Sequence, residues 1–158
     1  MADRDELDAQ EQDAWLALAA MLSVVPAALE QQLQRHDRLS LVEFLALSML
    51  ADSAGHQVRM SDLAEAASST PSRISRVVAG LESEGFVTRS MDPKDRRVVH
   101  VTLLPKGSAK LREAAPGHAR MLRSRLFDRL TEAQLKGLVD VLQDITGAFG
   151  STDGSPSL

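Results

Sequence analysis

The residues of this chain best suited to chemistry are the arginines and small polar side chains between Thr70 and Arg97. Arg73 and Arg76 stand among short side chains in the first part of this segment. A guanidinium group reaches base edges or phosphates, and short side chains let a helix backbone approach a DNA groove closely. These residue types therefore indicate contact with nucleic acid. An ordinary solvent-exposed helix face is the alternative.

The segment that begins at Thr70 is predicted to be a helix. Thr70 is a favourable N-cap, and Pro71 falls at the first helical position, where a missing N–H and a fixed φ cost nothing. Gly85 is expected to end the helix in the left-handed conformation. Apolar residues recur at helical spacing and predict a face packed on the rest of the domain: Ile74, Val77, Val78 and Leu81. The opposite face carries Ser72, Arg76, Ala79, Gly80 and Ser83.

The residues after this helix predict a β-hairpin with a charged tip. The segments "FVTRS" and "VVHVTL" are rich in strand-forming residues, and "MDPKD" between them contains the Asp and Pro that favour a turn. Acidic side chains at the tip can orient an arginine through charge-assisted hydrogen bonds, while another arginine enters a narrow minor groove. A solvated charged turn is the alternative. The charged residues are Asp92, Lys94, Asp95, Arg96 and Arg97.

The combined segment "STPSRISRVVAGLESEGFVTRSMDPKDRRVVHVTLLPKG" resembles the recognition helix and wing of MarR-type transcriptional regulators. Asp95 and Arg97 match the D-x-R signature of that family's wing. "MSDLAEAAS", from Met60 to Ser68, resembles the first helix of the helix-turn-helix, and the similarity covers roughly residues 11–149. At "LLPKG" the chain departs from the Leu-Thr that is frequent in the family. The resemblance implies a homodimer that binds pseudo-palindromic DNA, usually as a repressor released by a small ligand.

Two groups of side chains are predicted to contact double-stranded DNA. The groove readers on the helix are Thr70, Ser72, Arg73, Ser75 and Arg76. The wing contacts are Lys94, Arg96 and Arg97, with Asp95 as the orienting carboxylate and Arg97 as the strongest single candidate.

The rest of the chain is predicted to be almost entirely helical. The fold class is thus mainly α with a small antiparallel β wing, a winged helix-turn-helix joined to a helical dimerisation region. We expect an acidic flexible N-terminus at 1–10, the dimerisation region at 11–36 and 105–149, the DNA-binding lobe at 40–104, and a disordered tail at 150–158.

Local motifs locate several of these elements. Capping boxes at Ser40–Glu43 and Thr131–Gln134 predict helix starts, Val58–Met60 is a candidate third strand, and Pro116-Gly117 is expected to interrupt a long helix. In the last helix, apolar residues spaced alternately by three and four form a seam suited to a partner helix: Leu135, Leu138, Leu142, Ile145 and Phe149. Packing of this seam inside the same subunit is the alternative.

The distribution of charge supports contact with DNA even though the net charge is −4. Residues 1–66 carry −8, whereas residues 67–100 and 101–158 each carry +2. Cationic charge therefore coincides with the helix and wing, and its modest size predicts salt-sensitive binding by a dimer. Cysteine is absent, which excludes thiolate metal sites and cysteine-based redox switches.

No catalytic constellation is visible, so we expect neither an enzyme nor a bound metal or cofactor. The four histidines, His36, His56, His100 and His118, lack metal-ligand spacing, and the chain has no phosphate-binding or nucleophile motif. We see no run long enough to span a membrane and no signal segment, and expect a cytoplasmic protein.

Two questions stay open at this stage. The resemblance implies a small aromatic or other organic effector, but the sequence identifies no pocket, and Trp15, His36 and Met49 are each more typical of core or surface positions. The chain could also be a winged-helix protein-interaction module, in which its arginines contact an acidic protein. An absence of binding to duplex DNA at every salt concentration would favour that alternative.

Overall fold

The computed structural model describes residues 6–67 and 69–150 of the chain. The helices and strands follow in the order α1 (Ala9–Asp37), α2 (Leu41–Asp52), β1 (Gln57–Arg59), α3 (Met60–Ala66), α4 (Pro71–Ser83), β2 (Val87–Met91), β3 (Val99–Leu103), α5 (Pro105–Arg125) and α6 (Glu132–Gly150), with short 3₁₀ turns at Ala54–His56 and Phe127–Arg129.

The chain forms two compact units that divide within α5, after His118. The first unit contains everything from α1 to most of α5, and so includes the predicted recognition helix and hairpin. The second unit contains the end of α5 and all of α6.

The core of the first unit is built on the apolar faces of α2, α3, α4 and β3. Helix α4 contributes Ile74, Val78 and Leu81, which are at most 1% exposed, so the predicted stripe is confirmed. Val77 is half-buried at the margin of the same cluster. Each such side chain stabilises the fold by about 1.5–3 kcal/mol when removed from water, which fixes α4 to the lobe. The side chains with no exposure that surround this stripe are Leu33, Leu47, Leu50, Leu63 and Val101.

The predicted helix starts are confirmed by their caps. The Thr70 hydroxyl oxygen accepts a hydrogen bond from the N–H of Arg73 at 3.3 Å, and Pro71 is the first residue of α4. Ser40 and Glu43 form both hydrogen bonds of a capping box at α2. Thr131 does the same with Gln134 before α6.

The three strands form one antiparallel sheet in the order β1-β3-β2. In the hairpin, Arg89 lies opposite Val101, and on the other side of β3 Val58 lies opposite the same residue. The third strand lies one residue earlier than predicted, because Met60 already begins α3. Strand β2 pairs on one side only and is therefore an edge strand among the strands that the structure describes.

Gly85 ends α4 and turns the chain into the wing, as predicted. Its φ of +73° lies in the left-handed region. The N–H of Phe86 donates to the carbonyl of Leu81 and the N–H of Gly85 to that of Glu82, each at 2.9 Å. These two bonds and the apolar pair Leu81 and Phe86 make a Schellman motif.

A second glycine, Gly107, allows α5 to pack closely on the start of the wing. A Cβ at this position would collide with the backbone carbonyl of Phe86 and the side chain of Leu103. Pro105, at the departure from the family pattern, is the first residue of α5, so the helix still begins there.

Two boundary predictions need correction. Helix α5 continues through Pro116 and Gly117 without interruption, because the turn before them is anchored by Ala114, which has no exposure in the core. Helix α1 begins at Ala9 with a capping box at Asp8, so order begins inside the segment predicted to be flexible. Residues 1–5 and 151–158 of the predicted flexible ends lie outside the described residues.

The expectation that no segment could span a membrane is also wrong on length and composition. Helix α1 contains an 18-residue window with mean hydropathy 1.4, none of it buried within this chain. No charged residue occurs between Asp13 and Glu30, which is why the window is so apolar. The helix therefore exposes a long run of apolar side chains in this single chain. Its exposed large side chains are Trp15, Leu16, Met21, Leu22 and Val24.

Candidate nucleic-acid interface

The outward face of α4 carries small and cationic side chains, as the sequence indicates. Ser72 and Arg76 lie on the side opposite the buried stripe, and both are exposed. The Arg76 Nε donates to the Ser72 carbonyl oxygen at 3.4 Å, which holds the arginine along the helix surface. Ala79, Gly80 and Ser83 continue this face without a bulky group. The backbone of α4 can therefore approach a groove closely, with Arg76 as its long side chain.

The other predicted groove readers occupy different positions around α4. Thr70 caps the helix, and its hydroxyl also lies 3.3 Å from that of Ser72, so both are at the N-terminal end. Ser75 is half-buried on one flank. Arg73 is exposed on the opposite flank, at the rim of a crevice of about 400 Å³ between α1, α2 and α4. The structure thus brings Thr70, Ser72 and Arg76 together and sets Arg73 to one side.

The wing tip is organised by Asp95 and Arg97. Asp95 accepts hydrogen bonds from the backbone N–H, the Nε and the Nη2 of Arg97, at 3.0–3.2 Å. These bonds, the guanidinium first, hold the pKa of Asp95 below its usual range. The Arg97 side chain is nevertheless 91% exposed. Asp95 therefore orients the arginine without burying it, as expected of the acidic residues at the tip.

A second carboxylate, Asp92, shapes the turn itself. Its Oδ1 accepts the backbone N–H groups of Lys94 and Asp95 at 2.8 and 3.1 Å, and its Oδ2 lies 3.0 Å from the Nε2 of His100. The backbone donor of Lys94, the His100 side chain and the backbone donor of Asp95, in that order, lower the pKa of Asp92. His100 was assigned no role from sequence, because only the hairpin register brings it beside Asp92.

The remaining wing cations project from the same turn. Lys94 and Arg96 are both exposed, and no ion pair within the described part of the chain involves either of them. Together with Arg97 they give the tip three cationic side chains that can reach a phosphate or a minor groove.

One ion pair that the sequence did not indicate joins α4 to the wing. Glu82, in the last turn of α4, accepts three hydrogen bonds from Arg89 in β2. No local motif marks this pair, since its partners lie seven residues apart across a chain reversal. It connects the two elements that carry the predicted DNA contacts.

The predicted dimerisation seam lies on α6, within the second unit. Its members are largely exposed, from 37% for Leu135 and Ile145 to 81% for Phe149. Leu138 is half-buried and Leu142 is 45% exposed. The seam is therefore apolar and accessible in this single chain.

A helix-turn-helix formed by α3 and α4, followed by a cationic hairpin, defines a winged-helix DNA-binding lobe. Comparison with known proteins places it in a family. The MarR family profile matches residues 39–99. The repressor Rv2887 of Mycobacterium tuberculosis is 33% identical over 107 residues, which cover 68% of this chain and 75% of that protein. YetL, a repressor of Bacillus subtilis, is 28% identical over 107 residues, 68% of this chain and 64% of YetL.

A solved structure agrees over almost the whole length. Sco3205, a MarR family regulator from Streptomyces coelicolor crystallised in complex with DNA, is 33% identical, with a TM-score of 0.90 over 98% of this chain and 97% of that chain. This chain therefore belongs to the MarR family of transcriptional regulators.

The hydrogen bonds to Asp92 predict how the wing responds to acid. Because its pKa is lowered in the folded state, the ionised carboxylate stabilises the turn above the pKa of an unfolded aspartate. That stabilisation is lost as the pH falls through the lower, folded value. A carboxyl ¹³C NMR titration should therefore show Asp92 titrating below the usual aspartate range.

The variant His100→Ala is the control for this titration. It should raise the pKa of Asp92 only in part, because the backbone donors of Lys94 and Asp95 remain. An ordinary aspartate pKa in the unmodified protein would mean that the turn is not held as described.

Proposed function

We propose that this protein is a homodimeric transcriptional repressor that binds a pseudo-palindromic DNA operator and is released by a small organic effector. The main supporting observation is that one lobe presents both the small, cationic face of α4 and the oriented Arg97 of the wing. A helix in the major groove and an arginine in the adjacent minor groove are the two contacts that such a lobe can make. The repressor activity named for the relatives and the DNA bound to Sco3205 support this proposal.

The exposed apolar faces and the modest cationic charge of the lobe support dimerisation. The seam on α6 and the exposed face of α1 each leave large apolar side chains in water in the single chain. A second copy that covers them removes this surface from water and places two lobes on one DNA site. Two recognition helices about 34–36 Å apart can then read successive major grooves. We assign residues 11–36 and 105–149 to this pairing, and residues 40–104 to the DNA-binding lobe, in a cytoplasmic protein.

The crevice beside Arg73 is our candidate for the effector site. Its walls are largely apolar, and Arg73 among them suits a small organic anion, while the Glu30 carboxylate of the same crevice accepts the backbone N–H of Leu41 at 2.6 Å. BpsR of Bordetella bronchiseptica, 27% identical with a TM-score of 0.70, is regulated in DNA binding by 6-hydroxynicotinic acid. Trp15, His36 and Met49 do not line this crevice. The lining residues are Pro26, Ala27, Glu30, Ser40, Leu41, Val42, Arg73 and Val77.

The test of this function is selection of duplexes from a random DNA library, followed by fluorescence anisotropy on the selected site. We expect binding that saturates at one dimer per site, weakens as salt rises, and exceeds binding to a scrambled duplex at every salt concentration. The variant Leu142→Asp should reduce the dimer in sedimentation and weaken operator binding with it. Equal weak binding to both duplexes would contradict the proposal and favour a protein-interaction module.

Arg76 is predicted to read a base. Arg76→Ala should cost about 1–3 kcal/mol of binding free energy if the guanidinium makes a bidentate contact, and should relax preference at one base pair. Anisotropy on a set of operators with single base changes measures both effects. An equal loss on all sequences would instead make Arg76 a phosphate contact.

Arg97 is predicted to enter the minor groove beside the recognition helix. Arg97→Ala should therefore weaken binding most on operators with narrow, A·T-rich flanks, where the negative potential is greatest. Lys94→Ala is the matched control, because a phosphate contact at the tip should be lost evenly across flanks. If Arg97→Ala is indifferent to flank sequence, the minor-groove assignment is wrong.

A further inference from the structure

We propose that Glu82 and Arg89 form a clamp that sets the position of the wing relative to the recognition helix, and that Glu82 is thereby a positioning residue for minor-groove recognition. This inference rests on the proposed function for its effect on DNA. The contact between the two residues can be tested without DNA.

The clamp consists of three hydrogen bonds that end on one carboxylate. Glu82 Oε1 accepts the backbone N–H of Arg89 at 2.9 Å. Glu82 Oε2 accepts the Nε of Arg89 at 2.9 Å and its Nη2 at 2.6 Å. Both backbone and side chain of Arg89 are thus held, so the clamp fixes the strand as well as the guanidinium. A forked guanidinium contact of this kind restricts orientation more than a single point contact does.

The position of the backbone donor shows that the clamp acts on β2 itself. Strand β2 pairs only with β3 among the described strands, and successive N–H groups of a strand point alternately to its two sides. The N–H of Arg89 points away from β3, since it donates to Glu82. Without Glu82 this donor would face water at the sheet edge.

The distance between the turn and the wing tip makes this contact important for DNA recognition, because a small rotation of β2 moves the tip much farther. The chain turns at Gly85, and a strand rises about 3.3 Å per residue, so the end of β2 at Met91 lies roughly 20 Å from that turn. A rotation of about 5° there would shift the wing tip by more than about 1 Å, which exceeds the tolerance of a hydrogen bond. The Schellman motif, the pairing of β3 with β1 and the buried Val87 hold the base of the wing, and the clamp adds a contact farther along β2.

The Arg89 guanidinium is bound to Glu82, whereas the cations that we propose contact DNA extend into solvent. Its side chain is 37% exposed, against 91% for Arg97. Hydrogen bonds from the Arg89 side chain, and then from its backbone, hold the pKa of Glu82 below its usual range, so the carboxylate stays charged at neutral pH.

The direction in which Glu82→Ala changes operator affinity distinguishes a positioning role from a purely electrostatic one. Glu82 places a negative charge beside a DNA-facing helix, so its removal alone would tighten binding to phosphates. The clamp predicts the opposite, because a freed wing loses its alignment. Glu82→Ala should therefore weaken operator binding, whereas Glu84→Ala, which removes the same charge from an exposed glutamate two residues away, should leave binding unchanged or slightly tighter.

The first measurement is amide hydrogen exchange on the protein without DNA. In Glu82→Ala the N–H of Arg89 should exchange markedly faster, while the N–H groups of Thr88 and Ser90, which point towards β3, stay protected. Unchanged thermal unfolding would show that the lobe remains folded, as expected for a pair at the surface. Unaltered exchange at Arg89 would overturn the clamp, whatever the protein does with DNA.

The second measurement is a double-mutant cycle on the selected operator. Glu82→Ala should weaken binding on the order of three- to tenfold. In an Arg97→Ala background it should have little further effect, because the wing contact is already lost, whereas with Arg76→Ala the two losses should add. Glu82→Asp, which keeps the charge but shortens the reach, should behave like Glu82→Ala.

The outcomes of the cycle are distinct. Full additivity with Arg97→Ala, or an operator affinity that rises in Glu82→Ala, would refute a positioning role for Glu82. Failure of the unmodified protein to prefer its selected operator would refute the proposed function instead, and the exchange measurement would still decide whether the clamp exists.

Discussion

The reversal of the chain at Gly85 is the constraint on which the DNA-binding lobe depends. Three residues at this reversal join a helix whose inner face is buried to a hairpin whose tip we propose contacts the same DNA. The positive φ of Gly85 lets the N–H of Phe86 return to the carbonyl of Leu81, and this bond starts β2 in a fixed direction. A residue with a Cβ would be strained in that conformation. Because Leu81 is also part of the core, the direction of the wing is tied to the packing of α4.

Carboxylates organise the cationic surface and do not simply oppose it. Glu82, Asp92 and Asp95 each accept at least one backbone N–H, and each contacts an arginine or a histidine. A protein that binds phosphates tolerates these three negative charges because each carboxylate holds a backbone segment and a neighbouring side chain in place. The result is a surface with few cations, each in a defined position, in a chain whose net charge is −4. A surface of this kind favours specificity over affinity. Binding by two copies at one site would increase both.

Much of this site could be predicted from the sequence. The N-cap at Thr70, the glycine at position 85 and the Asp95–Arg97 pair were identified correctly, since each depends on residues within a few positions of one another. The expected interruption at Pro116 was wrong because packing around Ala114 outweighs the local preference of proline. The assignments of individual side chains to base or phosphate remain predictions, as does the seam on α6.

The sequence by itself determined where α2, α4 and α6 begin, where α4 ends, which face of α4 is buried, and that the hairpin tip is cationic. Caps, turns and hydrophobic periodicity depend on residues close together in the chain, so short stretches of sequence are enough to predict them. Only the tertiary structure decided that Glu82 holds Arg89, that His100 meets Asp92, and that Arg73 stands at a crevice on the flank of α4. These contacts depend on the angle between α4 and β2, on strand register and on the packing of α1 against α2. No single stretch of the chain encodes those quantities, because the whole core sets them.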